Sequence, residues 1–497
     1  MKPATSRVIV GLPIDARPVV RSQVQQMVSC AGWQLRMPDV AQLGHLRTPA
    51  DRDALRGWLL EQAPQAEGFV LSLDMLVYGG LVPSRLIDDA LPALLQRLSF
   101  LETLHTAARG RPIFAFAATM RISNNDAAEE EKPYWVEHGR RLWAWSYHGD
   151  RARSTGAADS VEAARRAEAE LPRAIRDDYI ATRQRNFAVT LAALGLVERG
   201  LITRLVLPQD DTAEWGLNIA ERRHLQAEVQ RRGLGARVAI YPGADEVMHT
   251  LCARLVASLE RQPPLRVAVA TSDPQHIGSL RALYEDRPVL DSVTAQIEAV
   301  GALRCDEADS ADLLLAVHTQ GRAQGDWAMQ RALPQQVPIS AVWVEQLHAW
   351  LRSGQPLAMA DLAYANGGDP ALMDATSGLP PPMAFSAYAG WNTASNSLGN
   401  VLAQSVMAHG CEREATARAA LALRWLEDLQ YQAVLRQRLR DAVDEAAVSP
   451  AQLLAAARAI VIAPLNEWAA LHHLGHRVVD IALPWGRSFE IRYFFFN

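Results

Sequence analysis

The sequence predicts an α/β protein whose larger part is a (β/α)8-barrel-like catalytic domain, with an open doubly wound parallel sheet as the alternative. Two observations support this prediction: short apolar runs recur along the first two-thirds of the 497 residues, and amphipathic helical stretches separate them. Short apolar runs bounded by Pro, Gly or Asp are typical of parallel strands buried on both faces. Their alternation with helices implies a parallel sheet covered by helices.

Nine apolar runs are expected to form the strands. Amphipathic stretches between them, such as Asp51–Gln62, are expected to be helices. That helix is preceded by Thr48 and Pro49, which supply a capping residue and a proline at the helix start. The nine runs are Val8–Leu12, Phe69–Leu73, Ile113–Ala117, Arg204–Leu207, Arg237–Tyr241, Val267–Ala270, Leu313–Val317, Ala358–Ala363 and Met383–Ala387.

Two stretches break the alternation of strand and helix. Residues from about 125 to 200 are charged and helical in pattern, and they are far longer than an ordinary loop. They therefore predict a helical insertion within a catalytic domain that covers residues 1–395. Beyond it, residues 412–475 are rich in Ala, Leu and Arg at helical spacing, and the last residues alternate like strands. Residues 396–497 are thus expected to form a mainly helical C-terminal domain with a small β element.

Composition excludes several classes of function. The net charge of −5 provides no positive field for nucleic acid or an anionic membrane. Lys2 and Lys132 are the only lysines, and the second follows the acidic run 129–131, which we interpret as solvated. Schiff-base and phosphate-loop lysine chemistry is therefore not expected. The four cysteines are scattered and no apolar run reaches about 18 residues, so we expect a cytoplasmic protein.

Polar residues follow nearly every predicted strand. In parallel α/β proteins the active site lies at the carboxyl ends of the strands, so these residues are candidates for a sugar pocket. Asp and Asn also cap helices after strands, and it is the convergence of many that favours a pocket. The predicted substrate-binding residues are Asp15, Arg17, Asp74, Tyr78, Arg121, Asn124, Asn125, Trp215, Asn366, Asp369, Trp391 and Asn392.

Two pairs of adjacent carboxylates stand directly after predicted strands: Asp210-Asp211 and Asp245-Glu246. Adjacent carboxylates repel, so one acid tends to keep its proton while the other stays charged. Glycoside hydrolysis needs two carboxylates in divided roles. Neighbouring side chains diverge too much to flank a sugar from opposite faces. They suit a substrate-assisted route in which the sugar's own 2-acetamido oxygen attacks the anomeric carbon.

Other chemistries have weaker support in the sequence. No zinc motif, nucleophile elbow or dinucleotide-binding glycine pattern is present, so we expect no cofactor and no metal. Two alternatives to a glycosidase stay open. One is a metal-dependent hydrolase or lyase in which Asp210, Asp211, Asp245 and Asp273 bind a divalent cation. The other is a non-catalytic sugar-binding protein.

Six motifs in this chain carry a family resemblance: LPIDARPV (12–19), LSLDMLVYGGLVPSR (71–85), MRISNND (120–126), LPQDDTAEWG (207–216), YPGADEV (241–247) and YANGGD (364–369). Together they resemble the bacterial domain-of-unknown-function family 4127, over nearly the whole chain. The resemblance implies β-N-acetylgalactosaminidase activity by a substrate-assisted mechanism, and hence a small amino-sugar glycoside as substrate. By motif, Asp210 corresponds to the residue that orients the acetamido group and Asp211 to the general acid/base, with Asp245 and Glu246 in reserve.

Overall fold

The computed structural model describes residues 7–333, 338–375, 382–409 and 414–495. Helices and strands alternate along most of this length. The strands are β1 (Val8–Leu12), β2 (Gln34–Arg36), β3 (Gly68–Ser72), β4 (Ile113–Phe116), β5 (Arg204–Gln209), β6 (Val238–Pro242), β7 (Arg266–Thr271), β8 (Leu303–Arg304), β9 (Leu313–His318), β10 (Gly325–Asp326), β11 (Leu357–Asp361), β12 (Tyr364–Ala365), β13 (Ala387–Ala389), β14 (Val478–Ala482) and β15 (Arg492–Phe495).

The helices lie between and after these strands. A π-helix covers Trp425–Leu435 and continues directly into the next α-helix. The α-helices are α1 (Ser22–Cys30), α2 (Arg52–Gln62), α3 (Leu73–Tyr78), α4 (Pro83–Leu86), α5 (Leu91–Ala107), α6 (Trp135–Thr155), α7 (Ala158–Glu170), α8 (Arg173–Glu198), α9 (Leu217–Arg231), α10 (Val247–Leu259), α11 (Val289–Val300), α12 (Ala341–Arg352), α13 (Pro370–Ala375), α14 (Ala394–Ala408), α15 (Glu414–Arg424), α16 (Arg436–Ala442) and α17 (Pro450–Leu471).

The first of two compact units comprises Met1–Ala16, Gln34–Val247 and Tyr284–Asp286. Its six strands are all parallel, in the order β2-β1-β3-β4-β5-β6. The strands are apolar because helices cover the sheet, and Val10, Phe69 and Leu205 are fully buried in its core. Helices α6, α7 and α8 fill the crossover from β4 to β5, where the sequence predicts a helical insertion.

The second unit comprises Arg17–Trp33, Met248–Leu283 and Arg287–Asn497. Its main sheet is also parallel, in the order β8-β7-β9-β11-β13. In each unit the first strand of the sheet along the chain, β1 or β7, lies inside the sheet. The next strand pairs on one side of it and the later strands are added on the other side, which is the doubly wound arrangement. Helix α14 runs through the interior of this unit, since every residue from Ala394 to Met407 is buried.

The predicted closed barrel is wrong. No sheet of the described residues closes, because β2 and β6 end the first sheet and β8 and β13 end the second. Both are open parallel sheets, as in the alternative prediction. A barrel and an open sheet share the same alternation of strand and helix, and they differ only in whether the edge strands pair.

The compact units do not follow the boundary predicted near residue 395. Residues after it share one core with the second sheet: Leu426, Leu453 and Val461 pack in the same cluster as Leu314 and Met359. The C-terminal helices therefore cover that sheet instead of forming a core of their own.

By length and composition alone, helix α17 could cross a membrane. One of its faces nevertheless packs in the core of the second unit, through Leu453, Val461 and Leu465. Its start is fixed by a capping box in which Ser449 and Gln452 satisfy each other's backbone N–H groups. Burial of an apolar face in this way is what a core helix requires.

Candidate functional site

The first carboxylate pair stands in the turn that ends β5. Gln209, the last residue of the strand, is fully buried and donates through its amide to Thr119 Oγ1 at 2.9 Å. Asp211 has φ 34°, in the left-handed region that residues other than glycine seldom adopt. Such strained backbone persists only where its surroundings hold it, and it is concentrated at functional sites. The turn therefore fixes both carboxylates relative to the sheet.

Each acid of the pair has its own arginine. Arg85 Nη2 donates to Asp210 Oδ2 at 2.7 Å, and Arg121 Nη1 donates to Asp211 Oδ2 at 2.8 Å. The side chains of Asp210 and Asp211 are 10% and 27% exposed. Arg85, in α4, is itself 1% exposed. The pair is thus a partly open acidic doublet backed by buried positive charge.

Asp210 titrates close to neutral pH. Burial raises its pKa most, and the charge on neighbouring Asp211 raises it further, while Arg121 and Arg85 oppose the shift and leave the pKa at about 7. A carboxyl group with such a pKa is protonated often enough at neutral pH to act as a general acid. Asp210 is therefore suited to donate a proton at neutral pH.

Two glutamates complete this cluster, and sequence reasoning missed them. Glu131 is 2% exposed, and its Oε1 accepts from Arg85, Arg121 and Ser123 at 3.3, 2.9 and 2.9 Å. Glu130 Oε2 lies 3.1 Å from Arg121 Nη2. The interpretation of the run 129–131 as solvated is wrong for Glu131, because it is buried against arginines that lie elsewhere in the sequence. Lys132 pairs with Asp178 at 2.7 Å.

Asp74 and Tyr78 lie in α3, directly after β3. Asp74 is 3% exposed and its Oδ2 accepts from the backbone N–H of Ala118 at 2.9 Å. Burial raises its pKa to about 7, although backbone hydrogen bonds and the charge of Arg85 act in the opposite direction. Burial and the charge of Asp74 likewise raise the pKa of the Tyr78 phenol. Both groups are therefore held neutral more readily than in water.

Replacing Asp74 with Asn should change how stability depends on pH. The pKa of Asp74 is about 7 in the fold and about 4 when unfolded, so the folded state binds more protons between these values. The stabilisation of the fold by this bound proton is complete below about pH 4. The free energy of unfolding then falls by up to about 1.4 kcal/mol per pH unit as pH rises to about 7. Asn does not titrate, so Asp74→Asn lacks this fall in stability.

Urea unfolding at several pH values checks this expectation. Relative to wild type, the free energy of unfolding of Asp74→Asn should rise from about pH 4 to about pH 7 and level off above that. The exposed Asp88 offers the control, since Asp88→Asn lacks this burial. A difference between Asp74→Asn and wild type that stays constant over this range would contradict the raised pKa.

The reserve pair follows the neighbouring strand, β6. Glu246 is fully buried, and its carboxylate lies against Gly243, where a Cβ would come within 2.6 Å of both carboxylate oxygens. Gly243 also has φ 120°, so no other residue fits there without strain. Asp245 is near enough to Asp210 to raise its pKa. The charge of Asp245 therefore acts on the first pair, whereas Glu246 is buried against Gly243.

The remaining predicted residues of the first unit have varied surroundings. Asp15 is buried after β1, and Asn124 is exposed. Asn125 Oδ1 accepts from the backbone N–H of Ala127 at 3.0 Å, a local turn that needs no ligand. Trp215 is half-buried, and the next residue, Gly216, donates its N–H to Asp150 Oδ2 at 3.0 Å. Helix α6 thus holds the end of the loop that carries Trp215.

Five predicted residues belong to the second unit. Arg17 pairs with Glu490 at 3.2 Å and lies over the ring of Trp485. Asn366 and Asn392 both have positive φ, and the backbone N–H of Asn366 donates to the carbonyl of Asn392 at 2.8 Å. Trp391 is 2% exposed. The fifth residue, Asp369, joins a buried polar cluster.

That cluster contains two residues which sequence reasoning missed. His318 is fully buried between Ser272 Oγ at 3.0 Å and Asp369 Oδ2 at 3.1 Å. Asp361 Oδ2 accepts from the Asp369 N–H at 2.7 Å and from the Tyr388 hydroxyl at 3.1 Å. Burial raises the pKa of Asp361 to about 6; His318 lowers it and Asp369 raises it. The available signal was a polar residue directly after an apolar run for His318 and one inside an apolar run for Asp361.

The acids proposed as ligands in the metal-dependent alternative have other partners. Asp210 and Asp211 are paired with arginines in the first unit. Asp273, in the second unit, accepts from His276 Nδ1 at 2.9 Å and from the Gly321 N–H at 2.8 Å. Within the described ranges, no group of three or more His, Cys, Asp or Glu side chains is arranged to hold a metal ion.

The chain belongs to the family described as "Protein of unknown function (DUF4127)", whose model matches residues 9–493. The match covers nearly the whole chain and confirms the family resemblance that the six motifs predicted. No curated protein matches the chain.

Proposed function

We propose that this DUF4127 member is a glycoside hydrolase: a cytoplasmic, exo-acting β-N-acetylhexosaminidase with N-acetylgalactosamine as its preferred sugar. Its catalytic groups are Asp210 and Asp211. One observation carries the proposal: two adjacent carboxylates at the carboxyl end of β5 have different electrostatic surroundings, and one of them has a pKa of about 7. Two carboxylates in divided roles are what glycoside hydrolysis requires.

The proposed reaction forms and breaks two bonds at the anomeric carbon. The substrate's acetamido oxygen attacks this carbon while the protonated acid gives its proton to the departing glycosidic oxygen. The cyclic intermediate is then opened by water, which loses its proton to the same carboxylate. Two inversions retain the configuration of the sugar. The second carboxylate accepts the acetamido N–H, which directs the acetamido oxygen at the anomeric carbon.

The surroundings of the two acids favour a division of roles opposite to that inferred from the family resemblance. Asp210 has the raised pKa and is suited to carry the proton. Asp211 is paired with Arg121 and is the more exposed of the two acids, so it is suited to accept a hydrogen bond from the acetamido N–H. We therefore assign Asp210 as general acid/base and Asp211 as the orienting carboxylate.

Half-buried Trp215 follows the pair by four positions and offers an aromatic face for the sugar ring. Asp15 and Asp74 lie in the loop and helix that follow β1 and β3, the strands at which the order of the first sheet reverses. Ligands of doubly wound proteins bind at such a reversal, beyond the carboxyl ends of the strands. These residues are therefore proposed to contact the sugar.

A pair of matched substrates tests the proposal. The wild-type protein should hydrolyse a chromogenic β-N-acetylgalactosaminide and leave the matching β-galactoside, which lacks the acetamido nucleophile, essentially intact. The released sugar should be the β-anomer at early times, and a thiazoline analogue of the cyclic intermediate should inhibit. Failure to hydrolyse any amino-sugar glycoside, or equal rates on the two substrates, would refute the proposal.

A further inference from the structure

We propose that Glu131 is a positioning residue, which holds Arg85 against Asp210 and Arg121 against Asp211 and thereby keeps the two acids in their unequal roles. The roles of the two acids are those of the proposed function, and the inference rests on it to that extent. The contacts of Glu131 described below do not depend on the proposed function. Glu131 is not expected to touch the substrate, because its Oε1 already accepts hydrogen bonds from Arg85, Arg121 and Ser123.

Glu131 lies between the two arginines that contact the acid pair. One oxygen of Glu131, Oε1, lies 3.3 Å from Arg85 Nη1 and 2.9 Å from Arg121 Nε. The opposite ends of the same guanidinium groups contact Asp210 and Asp211 at 2.7 and 2.8 Å. The five side chains form one chain of alternating charge with Glu131 at its centre. A planar guanidinium group has fixed donor directions, so moving its inner contact also moves its outer one.

Hydrogen bonds hold the backbone around Glu131 in place. Arg47 Nη1 donates to the carbonyl oxygens of Ala128 and Glu131 at 2.6 and 2.8 Å. Ser123 donates its hydroxyl to Glu131 Oε1 at 2.9 Å. A loop carrying an acid for solubility alone would not need these contacts. They are what a preorganised site needs around the groups that contact its catalytic residues.

The charge of Glu131 also influences the ionisation of Asp210. The charged groups facing Asp210 are Asp211, Arg121, Arg85 and Asp245. Glu131, together with Glu130 at 3.1 Å from Arg121 Nη2, offsets part of the positive charge of the two arginines. If Glu131 loses its charge, the arginines act more strongly on Asp210 and stabilise its ionised form. Asp210 then releases its proton at lower pH.

Infrared spectroscopy gives a direct test that needs no substrate. The band of the protonated carboxyl group of Asp210 is identified as the band that Asp210→Asn removes, and its loss is followed as pH rises. We expect Glu131→Gln, which keeps an oxygen acceptor but loses the charge, to lower the titration midpoint of that band by about one pH unit. Glu129→Gln is the matched control, since it removes a charge from an exposed position of the same run.

The outcomes separate this inference from the proposed function. A midpoint in Glu131→Gln equal to that of wild type, with the fold intact by circular dichroism, would overturn the positioning role. If the midpoint moves but no amino-sugar glycoside is hydrolysed by wild type, the positioning of the acids stands and the proposed function fails. In an active enzyme, the alkaline limb of the kcat profile should move with the midpoint in Glu131→Gln and stay in place in Glu129→Gln.

Discussion

Replacing Asp210 with Asn should lower the hydrolysis of substrates with poor leaving groups by about 1000-fold or more. The variant cannot protonate the departing oxygen, and general acid catalysis contributes roughly this much. Substrates whose leaving group needs no proton, such as dinitrophenyl glycosides, should lose far less. The rate on these substrates should also lose its dependence on pH near 7, where Asp210 titrates.

Asp211→Asn is the matched comparison, because it makes the same chemical change at the adjacent acid. We expect it to slow good and poor leaving groups alike, since the acetamido group must be oriented in either case. Measured kcat/KM over a series of leaving groups distinguishes the two patterns. If Asp211→Asn shows the selective loss and Asp210→Asn the uniform one, the roles are those inferred from the family resemblance. Undiminished rates in both variants would exclude the pair.

Gly368→Ala should destabilise the second unit by about 3 kcal/mol or more, at the upper end of what overpacking a core costs. A Cβ at this position would lie 2.2 Å from the Tyr388 hydroxyl and 2.7 Å from Asp361 Oδ2. Neither neighbour moves freely: Tyr388 is stacked on Trp425 with ring centroids 3.6 Å apart, and Asp361 accepts from both Tyr388 and the Asp369 N–H. The added methyl group therefore breaks buried hydrogen bonds as well as straining the packing.

Gly278→Ala is the control for this substitution. A Cβ at Gly278, in the same unit, would meet nothing within 4 Å. Chemical unfolding followed by fluorescence should show a lower midpoint for Gly368→Ala and one near that of wild type for Gly278→Ala. A Gly368→Ala protein as stable as wild type would mean that the buried cluster around Asp361 rearranges easily.

The positions of the buried inner strands were predictable from the sequence, and their partners were not. The short edge strands β2 and β8 matched no predicted run, and the run Met383–Ala387 overlaps β13 only at Ala387. The run Leu313–Val317 became β9 (Leu313–His318) because a strand buried on both faces needs a short continuous apolar stretch. Nothing local to such a run specifies which strand pairs with it. Pairing is decided by the packing of helices that are distant in sequence, and here it divides the strands between two open sheets.

The candidate site was predictable to a similar degree. Asp210 and Asp211 could be found because they follow a strand whose end is visible in the sequence. Arg85 could not be identified in this way, since it lies in a helix 125 positions earlier and contacts Asp210 only in the folded chain. Glu131 was misassigned for the same reason: a run of acids resembles a solvated surface until the cations that bury it are known.

The contacts of Arg85 and Arg121 limit which substitutions evolution can accept at these positions. Lysine and arginine replace each other readily on most protein surfaces, where only the charge matters. Arg85 instead bridges Glu131 and Asp210, and Arg121 bridges Glu130, Glu131 and Asp211, through separate nitrogens of one planar group. A single ammonium on a flexible stem cannot reproduce that span. In relatives from lysine-rich genomes, we therefore expect lysine to replace exposed arginines of this chain more often than the arginines at positions 85 and 121.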